Sequence, residues 1–520
     1  MKKDTTKRIT GPLLYVVGLV ILFIIAYSYI FDSKLDTNGD NCVYYMLASS
    51  LSSGHGYSDV LSGTYRASNS FPPGYPILMS IIRVFTDSLF LQKVLNGIFL
   101  LASVLLLFFF VRKNQLPTSL AFVASAVALL NYQTLRFSTM MMSEMSFLFF
   151  SVLTLWFLYK MNKEKPFWKD GYFYLSILST SYCFHIRTQG ITLVVAAIGY
   201  FLFARRWKES IAFTGGFAVT LLPWMLRNKL LNMGGSRYFD LIFEANHWSP
   251  DEGLLGLEGI ISRFFDTLGM LASKALPNSI IPYLSADYIT PNSTFGQWVT
   301  GIILLALIVY GMCQFGKYKY FLILYAAATF GIISLLSTPS GNRYLTSILP
   351  ILEVCLVVGI YAVMLLVVRK LSLAKGFSPW ILSVLLFFSF PKLQELHAIN
   401  KAPFSIPYQS FFKLAGEVHK NLPPNTVVCS RKPELFYMFS HTPVTGYAWT
   451  EDDKALIRGL IESKTDYVVL EDNLGFSQTP RFLFPAIQKN PDFFEMVMNI
   501  PNTNTYLLKF NREKAQAEIN

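Results

Sequence analysis

Up to Pro391 the chain keeps returning to apolar stretches of roughly 15 to 25 residues, about the length that crosses a hydrocarbon core as a helix. Eleven such segments are legible: 12–31, 89–111, 118–135, 145–160, 171–184, 190–204, 210–226, 295–315, 320–337, 344–368 and 377–391. The segments 171–184 and 190–204 are short for full spans and read as a tilted or shallow hairpin. Two polar connections are long, 32–88 and 227–294, and the second carries Trp248, Phe264, Phe265 and Leu268 among polar residues, the pattern of an amphipathic surface helix. After Pro391 the pattern changes. Helix-like pieces at 407–421, 452–464 and 481–489 alternate with β-rich runs at 426–429, 466–470 and 505–508, as in a small α/β domain. The expected architecture is a polytopic α-helical membrane protein of about eleven transmembrane helices, residues 1–391, with a small soluble α/β domain over 392–520.

Composition agrees with that reading. Of 520 residues, 53% are hydrophobic and only 15% charged, where a soluble protein carries about 25% charge. The formal charge of +12 would raise the question of nucleic acid in a soluble chain. Its distribution answers otherwise. The tail is neutral, with 14 basic and 14 acidic residues, and if the amino terminus is cytoplasmic the inner connections hold 18 basic residues against four acidic ones. That bias keeps short loops on the cytoplasmic side, so the basicity reports topology, and no nucleic-acid partner is expected. The two long loops and the whole tail then lie outside the cytoplasm, as expected for an inner-membrane protein of bacteria. No small-residue cleavage site follows the first apolar run, so an uncleaved first span is expected. The six His are scattered singly, no metal ligand set is expected, and Cys183, Cys313 and Cys355 read as small buried residues of the spans. A disulfide between Cys42 and Cys429 is not expected.

Polar residues at a membrane surface must be solvated, paired or used, and the loop 32–88 has the densest set. After Asp40 the run Tyr44, Leu47, Ala48, Leu51 has helical spacing, which puts Asp40 near the start of a short amphipathic helix. The helix dipole favours a carboxylate there, whether as a simple N-cap or as an ionised group that accepts a proton. Further on, Pro72-Pro73 fixes an extended, kinked backbone before an apolar helix.

These features resemble the first periplasmic loop of GT-C glycosyltransferases: an Asp four residues before Tyr at a helix start, a Gly-rich turn, and Pro-Pro before an apolar helix. The nearest group contains the protein O-mannosyltransferases and the aminoarabinose transferase of lipid A. Further matches follow in order: Ser143-Glu144 opening the fourth span, Ile186–Gly190, Pro223-Trp224 with Arg227-Asn228, and Asn342-Arg343-Tyr344 with Pro350. The resemblance implies inverting transfer of a sugar from a polyprenyl-phosphate donor to a glycan, lipid or protein acceptor at the outer membrane face.

Asp40 would then be the general base, ahead of Asp36, and Glu144 the second acidic position, either orienting acceptor or base or merely capping its helix. Negative charge accumulates on the departing phosphate, a task for arginine; Arg343 is the first candidate, then Arg187, with Arg136 and Arg227 also on the outer face. Tyr44, Tyr57, Tyr75 and Asp36 would surround the substrate cavity. Two positions depart from the family: Asn41 follows Asp40 where an acid is common, and Phe71 precedes the double proline where Lys is common. The first departure weakens a paired-carboxylate metal site, so no cofactor or divalent ion is expected beyond the lipid-linked donor itself. A transporter or flippase, or a polysaccharide polymerase or ligase, is the alternative. The first would favour matched repeats with broken spans and the second a large late outer loop.

Overall fold

The computed structural model describes residues 6–37, 39–162, 164–234, 237–247, 252–284, 286–288, 292–337, 342–371 and 377–519. Ten of the eleven apolar segments coincide with single helices or the start of one: Thr6–Ile30, Leu89–Lys113, Thr118–Leu129, Glu144–Lys160, Gly171–Ile186, Ile191–Phe203, Trp207–Leu230, Phe295–Cys313, Lys319–Ser334 and Leu349–Lys370. Among the described residues five are long and apolar enough to cross a membrane alone, and six if a bent pair is counted as one. The chain is thus a multi-pass helical membrane protein. The hairpin helices, 16 and 13 residues long, are short as expected.

Two segments differ from simple spans. The third, 118–135, breaks after Leu129 and resumes at Tyr132–Ser138 with a 64° bend. Asn131 sits in the break, accepts the Thr134 N–H at 3.0 Å, and donates to the buried Glu353 at 2.8 Å. Glu353 therefore faces the bundle and is held by an amide. The eleventh, 377–391, is a 3-10 turn Pro379–Ser383, a single helical turn Val384–Phe387, and a new helix Phe390–Lys401. Pro391 is the reason: its ring collides with the carbonyl four residues back in a continuous helix, and that residue is Phe387.

Within the bundle, Phe295–Cys313 and Leu349–Lys370 pack backbone to backbone. A Cβ at Gly311 would stand 1.8 Å from the Cys355 carbonyl oxygen, and one at Gly359 2.0 Å from that of Leu307. Small residues allow this approach where lipid offers no hydrophobic drive for helix association. Cys313, expected to be buried, is exposed because it ends its helix; Cys183 and Cys355 are buried, and all five cysteines are free.

The amphipathic helix expected after the seventh span is Leu257–Met270, packed on Lys319–Ser334 with Leu268 against the core and Phe265 exposed; Trp248 lies outside the described residues. The first outer loop folds as the Asp40–Ser52 helix, a hairpin of β1 (Ser58–Asp59) with β2 (Arg66–Ala67), and the Gly74–Arg83 helix.

The tail contains a five-stranded mixed sheet of β3 (Val428–Cys429), β4 (Val444–Thr445), β5 (Tyr467–Leu470), β6 (Phe494–Asn499) and β7 (Tyr506–Phe510), ordered β4-β3-β5-β7-β6. β3 runs parallel to β4 and β5, while β7 is antiparallel to β5 and β6. The expected helices appear at Ile406–Asn421, Asp453–Glu462 and Thr479–Lys489. The Pro433–Ser440 helix, β4 and β6 were not expected. Tail and first loop are in contact: the Val444 N–H donates to the Leu61 carbonyl at 2.6 Å, and Pro433–Ser440 lies against Asp40–Ser52.

Candidate active site

Asp40 is the first residue of its helix, and Gly39 is the N-cap, with φ of 103° and no side-chain capping bond. The Asp40 carboxylate is therefore not used as a cap. Its Oδ2 accepts from Arg343 Nη2 at 2.7 Å. Arg343 stands in the 3-10 turn that precedes Leu349–Lys370, and its Nε donates at 3.1 Å to Glu144 Oε1. Glu144, the first residue of Glu144–Lys160, is fully buried. The same Oε1 takes Arg187 Nη1 at 2.9 Å, and Arg187 also donates to Ser143 Oγ at 3.1 Å. Arg187 occupies the extended residue that ends Gly171–Ile186, and its guanidinium lies 5.6 Å from the Tyr344 ring centre.

Four segments far apart in sequence thus meet in a line of alternating charge, Asp40, Arg343, Glu144, Arg187, neutral in sum. A fully buried carboxylate is tolerated only when paired and hydrogen-bonded, and Glu144 has two guanidinium partners. Burial alone would lower the pKa of Arg343, but Glu144 and then Asp40 hold it well above the ordinary value, so it remains a cation. Exposure is greatest at one end of the line: the Asp40 side chain is 34% exposed and Arg343 29%, against 0% for Glu144 and 11% for Arg187. Reactive contact with a substrate is open at the Asp40–Arg343 end, while Glu144 and Arg187 stand behind it.

The other expected site residues are placed differently. Tyr44 reaches the cluster, its hydroxyl 3.3 Å from Ser143 Oγ. Tyr75 is fully enclosed, receives a hydrogen bond from Asn96 at 3.0 Å and props the Tyr44 ring edge-on, so it supports the site from beneath. Tyr57 is buried as well and donates to the Phe71 carbonyl at 2.9 Å. Phe71, where a lysine is common, packs on Tyr44 with ring centres 4.7 Å apart. Asp36 is half-buried beside Lys432 of the tail. Arg136 is exposed on Tyr132–Ser138, outside the cluster. Arg227 donates to the carbonyls of Tyr57 (2.9 Å) and Ser68 (3.1 Å) and lies over Trp224, tying the seventh span to the β1–β2 hairpin.

One group escaped the sequence reading. Lys432, at the entrance of Pro433–Ser440, is buried and donates to the Thr37 carbonyl at 2.5 Å, three residues before Asp40. Burial, with Arg431 beside it, lowers its pKa to about 8. In the sequence it is one charge of a neutral tail, and only the sheet order brings it to the first loop. Among the described residues no group of three or more His, Cys, Asp or Glu side chains is placed to hold a metal ion.

With this geometry in view, residues 70–226 match the family model for dolichyl-phosphate-mannose-protein mannosyltransferases. The fold matches ArnT from Cupriavidus metallidurans in the apo state, with a TM-score of 0.61 at 12% identity over 97% of this chain and 99% of that one. The chain thus shares its fold with ArnT, and its residues 70–226 are similar to the mannosyltransferase family. The same ArnT bound to undecaprenyl phosphate aligns with a TM-score of 0.58 at 12% identity, over 96% and 97% of the two chains. The Archaeoglobus fulgidus oligosaccharyltransferase in its apo form gives 0.57 at 12% identity, over 90% of this chain and 70% of that one. A search of curated protein sequences returned no match. The family model spans Glu144 and Arg187 but neither Asp40 nor Arg343, so the meeting of the four residues is a finding of the tertiary structure.

Proposed function

We propose that this protein is a glycosyltransferase that moves a sugar from a polyprenyl-phosphate-linked donor to a hydroxyl of an envelope acceptor, protein, lipid A or other glycan, on the outer face of a bacterial cytoplasmic membrane. Transfer proceeds with inversion. The acceptor oxygen attacks the anomeric carbon, the bond to the lipid phosphate breaks with its electron pair on that phosphate, and Asp40 takes the acceptor proton. Arg343 receives the charge that builds on the leaving phosphate, a role for its forked donors. Glu144 holds Arg343 and Arg187 in place, and Tyr44 braces the Ser143 side of the site. No cofactor is assigned. The chain passes the membrane eleven times with the amino terminus inside and residues 392–520 outside, which the distribution of basic residues supports.

The observation that carries this reading is the 2.7 Å contact of Asp40 with Arg343 at the exposed end of a cluster otherwise sealed. An inverting transfer needs a base by the acceptor oxygen and a cation by the departing phosphate, on opposite sides of the anomeric carbon, and Asp40 and Arg343 both reach the exposed end of the cluster. The Asp40→Asn variant, assayed with an undecaprenyl-phosphate sugar, is expected to bind donor and to transfer nothing measurable. Transfer at the wild-type rate would remove Asp40 from the mechanism.

A further inference from the structure

The tail carries a cavity of about 520 Å³ that the transferase reading leaves unused. It opens where β5 ends and β7 begins, beside the register pair Leu470 and Tyr506. In sheets with parallel strands, ligands sit outside the carboxyl ends of those strands, and this is that edge for β3 and β5. The same edge bears Lys432, which reaches the first loop at Thr37, so the cavity shares a side of the tail with Asp40.

Its walls combine two chemistries. Phe476, Phe484 and Tyr506 supply aromatic surface, and Glu471, Asp472 and Asn504 supply polar groups. Glu471 is 7% exposed; its Oε1 takes the Thr479 hydroxyl, while its Oε2 is buried with no hydrogen-bond partner. A sealed carboxyl oxygen without a donor is expensive, and a ligand hydroxyl would supply one. The negative charge is already offset. Arg431 and Lys432 lie over Phe476, 5.0 and 4.2 Å from its ring centre, which removes the call for a cationic ligand. A pocket mostly apolar, with a few convergent polar groups, is a small-molecule site. Aromatic faces beside carboxyl and amide acceptors match a neutral ring that has C–H on its faces and hydroxyls on its rim.

We infer that this cavity is a saccharide-binding subsite of the tail, which takes a neutral sugar unit of the acceptor while Asp40 acts on another part of it. The assignment to the acceptor rests on the transferase reading above; the binding of sugar does not. The test uses the full-length protein in nanodiscs and saturation-transfer NMR with a mixture of the methyl glycosides of glucose, galactose and mannose, against choline as a cationic probe. Saturation of glycoside ring protons is expected for the wild type and for Asp40→Asn alike. The exposed-side variants Asp472→Ala and Asn504→Ala, whose folding is checked by circular dichroism, are each expected to weaken it by about five-fold, the loss of one hydrogen bond. Unchanged glycoside signal in both pocket variants, loss of signal in Asp40→Asn, or a preference for choline would overturn the inference. If glycosides bind at the pocket while Asp40→Asn transfers normally, the subsite stands and the proposed mechanism falls.

Discussion

Glu144 at one end of the membrane bundle and Glu471 at the edge of the tail sheet are both sealed carboxyls, and their surroundings differ in kind. Glu144 is met by two guanidiniums that come from the ends of other helices. Glu471 has one hydroxyl, from Thr479, eight residues away on its own side of the sheet. Burial pushes the Glu471 carboxyl up to about 7, so near neutral pH it is a group between charge states. The lesson is that burial alone does not make a reactive carboxylate. The membrane site commits to charge by bringing in long-range partners. The tail pocket keeps its acid near neutrality, which suits recognition of hydroxyls.

The sharpest break of this comparison is at the exposed end of the membrane cluster, where Asp40→Asn is expected to lower transfer by about 10²–10⁴-fold, the range of a lost general base. Next is Glu144→Ala. It leaves Arg187 and Arg343 without their shared counter-charge, and removing one member of a buried ion cluster costs about 3–5 kcal/mol. A marked fall in the unfolding midpoint of the purified protein is expected, and an unchanged midpoint would mean the arginines repair themselves locally.

Glu471→Gln should act in the opposite direction and only at some pH values. The unfolded chain loses this proton near pH 4.5 and the native chain holds it to about 7, so the acid subtracts stability as pH rises through that window and by a constant amount above it. The variant is therefore expected to be more stable than wild type at pH 8, by on the order of 3 kcal/mol, and equal to it at pH 4. Equal melting at both pH values would mean that Arg431 and Lys432 already hold Glu471 ionised. Arg227→Ala, which frees the β1–β2 hairpin from the seventh span, should cost about 1–3 kcal/mol through lost hydrogen bonds, read by the same midpoint. The smallest effect belongs to Arg136→Ala, an exposed change expected to move stability by no more than about 0.5 kcal/mol and to leave donor affinity unaltered. A weaker donor affinity would restore the phosphate role that its sequence position first offered it.

Much of this molecule was readable from pattern, for definite reasons. A span must be long and apolar, so the helices were visible wherever the chain crosses, and they became unclear where a proline interrupts, as at Pro391, or where a polar residue breaks the ladder, as at Asn131. Strand β5 was visible because Tyr467-Val468-Val469-Leu470 is long and β-rich; β4, two residues at an edge, leaves too short a pattern. Asp40 was legible through its helix start and the Tyr44 spacing. That Gly39 and not Asp40 caps the helix was not, because where the helical backbone begins depends on dihedrals, here a φ of 103° at Gly39, that composition does not reveal. Tyr75 and Tyr57 shared the loop with Asp40 but turn into the packing, Tyr75 on the Gly74–Arg83 helix and Tyr57 just before β1, segments whose inward faces only the fold sets.

By itself the sequence determined which stretches are long and apolar enough to be spans, and that a few acids and arginines remain in the connections between them. The reason is that lipid imposes its requirement on each segment separately, residue by residue. Tertiary structure alone decided that Asp40, Glu144, Arg187 and Arg343 form one line of charge, that Arg227 is a clamp, and that Lys432 of the tail reaches the first loop. Those contacts join residues up to 395 positions apart, and such partners are chosen by how helices and sheet pack, which no local pattern encodes.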